Sequence, residues 1–162
     1  IIHSIMYTKE EIMTLHFEKV TSKNRKQIEE LRLYSTQKDY IETVQECLIE
    51  ADENNIWKTV GIYDDHVLIG FAMYGFFKEI RSDGQVWLDR LLIDRNYQGK
   101  GYGKEAVTKL LKILADEYNQ NKVYLSVYDI NKPAIHLYEK IGFCFNGEYD
   151  TKGERVMVYE FK

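Results

Sequence analysis

Apolar residues change their spacing repeatedly along this chain, and the changes mark out its elements. From Met13, Leu15 and Phe17 alternate with polar neighbours and Val20 closes the run, the two-residue period of a first strand. Thr21 or Ser22 then caps a predicted helix with Ile28, Leu31 and Leu33 inward and Glu29 and Glu30 outward. After Asp39 a second helix places Ile41, Val44, Cys47 (or Leu48) and Ala51 on one face. Its other face carries Glu42, Glu46 and Glu50, with Asp52 and Glu53 just beyond. Period two returns at Trp57. Thr59 to Tyr63, a turn at Asp64-Asp65-His66 and Val67 to Tyr74 predict a hairpin, and Phe76 to Ile80 extend it to a turn at Asp83-Gly84.

The next stretch, Trp87 to Gly103, organises the rest. An apolar run to Ile93 reads as a strand, breaks at Asp94-Arg95-Asn96 and passes through Gly99, Gly101 and Gly103. A helix follows with Ala106, Val107, Leu110, Leu111, Leu114 and Ala115 in one stripe. Strand, glycine loop and helix together present backbone N–H groups and a positive helix end to a phosphate. Lys122 to Tyr128 form another strand, with Val123, Leu125 and Val127 on one face. Pro133 opens a short helix burying Ile135, Leu137 or Tyr138, and Ile141, and Gly142 sits just past its end. Phe143 to Tyr149 and Arg155 to Phe161 pair across a turn at Lys152-Gly153.

Composition narrows the class without naming it. The length suits one domain, and no segment approaches the ~20 apolar residues of a membrane span. Residues 1–12 fit the pattern poorly and read as an N-terminal extension ahead of a single domain over 13–162. A net charge of −4 argues against nucleic acid and suits a handler of cations. Two cysteines, Cys47 and Cys144, make no disulfide framework, which fits a cytoplasmic protein. His3, His16, His66 and His136 have no metal-ligand spacing among themselves or with the cysteines, so no metal is expected.

Three nucleotide-binding patterns compete for the loop. A Walker P-loop fails, because Gln98 stands where its first glycine belongs and Glu105 follows Lys104. A dinucleotide fingerprint is present as Gly101, Gly103 and Ala106, with Asp129 at the end of the next strand. That fold needs repeated βαβ units, and hairpins surround this motif. The third pattern is Gln98-x-x-Gly101-x-Gly103, and in it the chain resembles the GNAT superfamily of N-acetyltransferases. About thirty residues on, Asn131-Lys132-Pro133-Ala134-Ile135-His136-Leu137-Tyr138-Glu139-Lys140-Ile141-Gly142-Phe143 is similar to that family's second signature. Val86 to Arg90 and Phe145 to Glu148 look like bacterial spermine/spermidine acetyltransferases.

The resemblance covers Met13 to Lys162 and implies a great deal. The fold would be α/β (α+β): a mixed, mostly antiparallel sheet flanked by helices, with two splayed parallel central strands. Acetyl-coenzyme A would be the cosubstrate. Its pyrophosphate would lie on Gln98, Gly99, Lys100, Gly101, Tyr102, Gly103 and Lys104, and its pantetheine arm beside Leu91, Leu92 and Ile93. Asn131 and Ala134 would hold the arm from the other side. Tyr138 would protonate the departing thiolate, and Asp89 would serve the amine, where these polyamine enzymes generally carry Glu. Asp is a methylene shorter, which favours a water relay. Without the motifs, Tyr138 reads as a core aromatic, Asp89 as a structural carboxylate and Asn131 as a helix cap. Strand alternation directs Arg90 to the face opposite Asp89.

A polyamine acceptor calls for spaced carboxylates and aromatic surface. Glu42 and Glu148, with Tyr74 and Tyr128, are the residues singled out to line its site. Glu46, Glu79, Asp83 and Asp150 are further rim carboxylates, and Tyr40 a further aromatic. Other acceptors stay open: a protein N-terminus, a lysine or an aminoglycoside. So does a non-catalytic acyl-coenzyme A or nucleotide-binding module. The family also implies a homodimer, with the C-terminal hairpin as the contact, and neither a membrane nor a nucleic-acid partner.

Overall fold

The computed structural model describes residues 13–80 and 82–162. The extension read over 1–12, with His3, and Arg81 of the predicted turn lie outside them. The elements are β1 (Leu15–Lys19), α1 (Arg25–Glu29), a 3-10 turn (Ser35–Gln37), α2 (Val44–Glu53), β2 (Trp57–Asp64), β3 (Val67–Phe77) and β4 (Gln85–Ile93). Then come α3 (Tyr102–Tyr118), β5 (Lys122–Val127), α4 (Lys132–Ile141), β6 (Cys144–Tyr149) and β7 (Arg155–Glu160). The strands form one sheet in the order β1-β2-β3-β4-β5-β7-β6. All neighbours are antiparallel except β4 and β5, which run parallel. This is the mixed, mostly antiparallel α/β architecture expected.

Each face of the sheet has its own core. On one, Ala106, Val107, Leu110, Leu111 and Leu114 of α3 pack on Ile62, Val86, Leu88, Val123 and Leu125. On the other, Ile28 from α1 and Val44, Cys47 and Leu48 from α2 pack on Phe71, Met73 and Leu92. Each buried leucine or valine contributes about 1.5–3 kcal/mol, so the α3 stripe clamps that helix to the sheet. Truncating Leu110, only 1% exposed, would cost about 2–5 kcal/mol.

Both early helices start later than their apolar spacing suggests. Asn24, not Thr21 or Ser22, is the N-cap of α1, and the helix ends at Glu29. Leu31 and Leu33 fall beyond it because tertiary bonds claim the backbone there. The Arg32 N–H donates to Asp94 Oδ2 at 2.9 Å, and the Arg32 carbonyl accepts from the Arg95 N–H at 2.8 Å. In α2, Thr43 and Glu46 form a capping box, Thr43 Oγ1 accepting from the Glu46 N–H at 3.2 Å. Ile41 and Glu42 therefore precede α2. Glu46 is occupied in the cap, its Oε2 accepting from the Thr43 N–H at 2.8 Å, rather than facing a substrate.

The central strands position the site. β4 and β5 pair only at Val86 opposite Val123 and Trp87 opposite Tyr124, then diverge. On its other side β4 carries a bulge: Met73 sits opposite Arg90 and Tyr74 opposite Leu88, so Asp89 is the extra residue. The bulge shifts the alternation. Val86 and Leu88 face the α3 core, whereas Leu92 beyond the bulge faces the α2 core.

Candidate active site

Where β4 and β5 part, a cleft of about 360 Å³ opens along Asp89 to Ile93 on one wall and Ser126 and Val127 on the other. Gln98 and the glycine loop close one end, and Glu42, Arg90 and Glu154 the other. Among the described residues, the β4 edge past Trp87 has no strand partner on the cleft side, so an extended, amide-bearing chain can lie there as a strand would.

The loop end is built for an anion. Gly99 and Gly101 adopt φ of 75° and 88°, left-handed values that side chains resist. A Cβ on Gly99 would meet nothing within 4 Å, so its φ alone calls for glycine. Gly101 is the N-cap of α3, and among the described residues no side chain caps that helix. The first-turn N–H groups of Gly103 and Lys104 lie at the positive end of a 17-residue helix. Gln98 holds the loop in place. Its Nε2 donates to Ile93 O at 3.0 Å and its amide exchanges hydrogen bonds with Gln37 at 2.9 Å. Tyr102 Oη donates to Asp64 Oδ2 at 2.5 Å, tying the first turn of α3 to the β2–β3 hairpin. The Lys100 ammonium lies over the Tyr97 ring, 5.7 Å from its centre, and Lys100 does not line the cleft.

From α4, Asn131, Ala134 and Tyr138 reach the cleft. Asn131 also caps its helix, Oδ1 accepting from the Ala134 N–H at 3.3 Å, so the plain structural role is present as well. The Tyr138 ring packs edge-on against Phe143, with centroids 5.6 Å apart. Burial, and then the Glu154 carboxylate, push its hydroxyl up to about 12. At neutral pH it holds its proton, as an acid must before the reaction.

At the amine end, strand alternation misplaces Arg90. Because of the bulge, Asp89 and Arg90 share the α2 side, and Arg90 Nη1 contacts Asp89 Oδ2. Arg90 Nε lies 2.8 Å from Glu42 Oε2, too poorly aligned to count as a hydrogen bond, so this contact is an ion pair. Glu42 also accepts from Lys152 Nζ at 2.6 Å. Burial raises the Asp89 carboxyl above its ordinary value while Arg90 draws it back. Glu154 is raised too, by burial and then by Asp150. Cys47, behind Arg90, has its thiol pushed up to about 12 by burial, which makes it a poor nucleophile.

Two substrate residues read from the sequence belong elsewhere. Tyr74 is 6% exposed in the α3-side core, because its position in β3 falls beneath α3 rather than at the cleft. Glu148 lies on the outermost strand, exposed, accepting from Asn146 Nδ2 at 2.7 Å. Of the others, Glu42 and Tyr40 line the cleft, and Tyr128 stands beside it, near enough to Glu154 to feel its charge. Arg90 and Glu154 carry no sequence signal of this kind. Arg90 depends on the bulge and Glu154 on the geometry of the last hairpin.

The chain is similar to known proteins in sequence and in fold. The family model described as acetyltransferase (GNAT) family matches residues 21–143. The chain is 46% identical over 151 residues to a spermine/spermidine N(1)-acetyltransferase of Bacillus subtilis (strain 168), covering 91% of this chain and 99% of that one. The fold is similar to a spermidine N-acetyltransferase from Vibrio cholerae solved with CoA and spermine, with TM-score 0.68 and 21% identity over 90% of this chain and 95% of that one. An aminoglycoside acetyltransferase solved with coenzyme A superposes with TM-score 0.76 at 20% identity, covering 91% of this chain and 95% of that one.

Proposed function

The chain belongs to the GNAT family of acetyltransferases, with acetyl-coenzyme A as its acyl donor, and we propose that it acetylates a primary amine of spermine or spermidine. One observation carries the reading: β4 and β5 diverge beneath the glycine loop at the α3 N-terminus, and carboxylates line the resulting cleft. The donor chemistry fits its residues. The N–H groups of the loop and of the first α3 turn suit a pyrophosphate, and the free β4 edge at Leu91 to Ile93 suits the amides of the pantetheine arm. When bound, acetyl-coenzyme A supplies an acetyl thioester.

What remains is done by this chain. The acceptor, with an unperturbed pKa near 10.4, arrives as an ammonium and must shed a proton. Asp89, Glu42 and Glu154 supply negative charge around it, partly balanced by Arg90 and Lys152. That leaves net negative charge for a polycation at Glu42, Asp89 and Glu154, which line the cleft. Tyr40 offers a ring for the methylenes between charges. Tyr138 donates a proton to the leaving sulfur. Transfer is direct, within a complex of both substrates.

The test is turnover of an amine panel with acetyl-coenzyme A: spermine, spermidine, an N-terminal peptide, a lysine peptide and an aminoglycoside. Acetylated spermine or spermidine is expected as the best product. Turnover confined to another amine refutes the acceptor, and stabilisation by NAD without coenzyme A refutes the donor. A homodimer in the cytoplasm completes the proposal. The exposed edge strand β6, carrying Tyr149 at 65% exposure, is its contact. Sedimentation of a Tyr149→Glu variant as a monomer is the expected outcome.

A further inference from the structure

We infer that Glu154, immediately before β7, takes the proton from the reacting ammonium, while Asp89 serves to hold Arg90. The inference rests on the acetyl-transfer reading above. It begins with how each carboxylate of the amine end is already used. Asp89 is closed onto Arg90 Nη1. Glu42 is shared between Arg90 Nε at 2.8 Å and Lys152 Nζ at 2.6 Å. Asp150 accepts from the Ser126 hydroxyl at 2.8 Å and from the N–H groups of Lys152 and Glu154 at 2.9 and 2.8 Å. Pairing with a guanidinium or ammonium stabilises the charged form. Against burial it lowers Glu42, and it draws back the rise that burial gives Asp89, whose carboxylate is in any case closed onto Arg90. Among the described residues, the Glu154 side chain has neither an ion pair nor a hydrogen bond, and it lines the cleft.

Its backbone, by contrast, is firmly held. The Glu154 N–H donates to Asp150 Oδ1, and the Glu154 carbonyl accepts from the Asp150 N–H at 2.9 Å. Asp150 is anchored in turn to Ser126 on β5, so the hairpin fixes Glu154 against the strand that forms the second wall. Val127 pairs with Arg155 there, which sets Glu154 beside the end of β5, beyond the last β4–β5 pair. The charged and titratable groups facing it come from every neighbouring element. They are Asp150 and Lys152 from its own hairpin, Arg90 from β4, Glu42 from ahead of α2, Tyr138 from α4 and Tyr128 after β5. Two of these are cations and two are carboxylates; burial acts most strongly to raise the Glu154 carboxyl, with Asp150 next. Glu154 is also the carboxylate whose charge reaches Tyr138. The proton acceptor and the proton donor thus line the same cleft within electrostatic reach of each other.

The step balances. One proton passes from the ammonium nitrogen to a Glu154 carboxylate oxygen. The freed lone pair forms the N–C bond to the thioester carbonyl carbon, and the C–S bond breaks with its electron pair on sulfur. The sulfur takes the Tyr138 proton. The surplus proton on the new amide nitrogen restores the tyrosine, and Glu154 releases its own to water.

The experiment is the pH profile of kcat for the full-length enzyme with spermine, comparing wild type, Glu154→Gln, Glu154→Asp and Asp89→Asn. Glu154→Gln should lower kcat about 100-fold or more and remove the acid limb of the profile. Its coenzyme A affinity and thermal midpoint should match wild type, because the Asp150 clamp uses only the Glu154 backbone. Glu154→Asp should keep the limb at reduced rate. Asp89→Asn should keep the limb and raise KM for spermine. The inference is overturned if Glu154→Gln retains the wild-type kcat and limb while Asp89→Asn loses both. If Glu154→Gln is destabilised, the Glu154→Asp profile decides in its place. If the wild type turns over a different amine, the acceptor reading fails by itself, and the same profiles with that amine decide the role of Glu154.

Discussion

Replacing Arg90 by methionine removes the one cation that three carboxylates share. Arg90 is 8% exposed and Asp89 17%, so this pair is buried, whereas Glu42 at 37% and Glu50 at 45% are substantially solvated. The Glu42 and Glu50 contacts, at 2.8 and 4.0 Å, are screened to about 0–1 kcal/mol each. Removing one partner of a buried pair costs about 3–5 kcal/mol, because the remaining charge is left uncompensated. The Arg90→Met loss is therefore carried mainly by Asp89. It should come to about 3–4 kcal/mol at neutral pH, or about 10 °C in thermal midpoint for a chain of this size. Acid should shrink it. Burial already raises the Asp89 carboxyl, and without Arg90 it rises further. The cost of its ionised form is absent below the ordinary carboxylate pKa and sets in as pH rises through the raised folded value. Glu42 works in the opposite direction. Against burial, the Lys152 hydrogen bond, its own backbone N–H and Arg90 hold it below its ordinary value. Its contribution is present above the ordinary value and fades as pH falls through the lowered one. Both effects make the gap between wild type and variant wide at neutral pH and narrow in acid. Thermal and urea unfolding at both pH values measure it, and adding Asp89→Asn to Arg90→Met should recover at least half the loss. A variant as stable as wild type at neutral pH, or a gap unchanged by pH, would refute the reasoning.

Tyr138→Phe should lower kcat by about 10²–10⁴-fold with KM and thermal midpoint nearly unchanged, since the hydroxyl bonds no described residue; steady-state kinetics against wild type check it. Gly101→Ala forces a side chain into φ 88°, so coenzyme A affinity by calorimetry should fall while spermine KM holds. Thr43→Ala removes the cap of α2 and should cost about 1 kcal/mol, read as a fall of roughly 2–4 °C in thermal midpoint.

The parts of this molecule that were legible in the sequence are those whose chemistry is local. Gly99 and Gly101 announce left-handed turns, Asn131 to Phe143 announce a capped helix ending at a glycine, and the hairpins announce themselves by period. The capping box of Thr43 and Glu46 is equally local, and taking Asp39 as the start of α2 passes over it. The amine end is different. Which end of β3 meets the cleft decides between Tyr74 as substrate surface and Tyr74 as core, and alternation is silent on that. Glu154 and Glu148 both flank the last turn, and only the pairing of β5, β7 and β6 separates the one in the cleft from the one at the sheet edge.

The bulge at Asp89 explains why the donor end reads so much more clearly than the acceptor end. With strict alternation, Val86, Leu88, Arg90 and Leu92 would all face α3, and a guanidinium would be driven into an apolar core at a cost no neighbour there could offset. One extra residue turns Arg90 and Leu92 toward α2, where Glu42 and Glu50 receive the charge, and returns Leu91 and Ile93 to the α3 side of the sheet. The same residue interrupts the strand just beyond the last β4–β5 pair at Trp87 and Tyr124. The change of facing and the opening of the cleft thus occur within two residues of each other. Asp89 is then constrained by geometry before it is constrained by chemistry. Its place in the strand aims Arg90, and its carboxylate, in contact with that guanidinium, neutralises it. That double duty leaves Asp89 little freedom to accept a proton, and it is the physical reason for looking to Glu154 across the cleft.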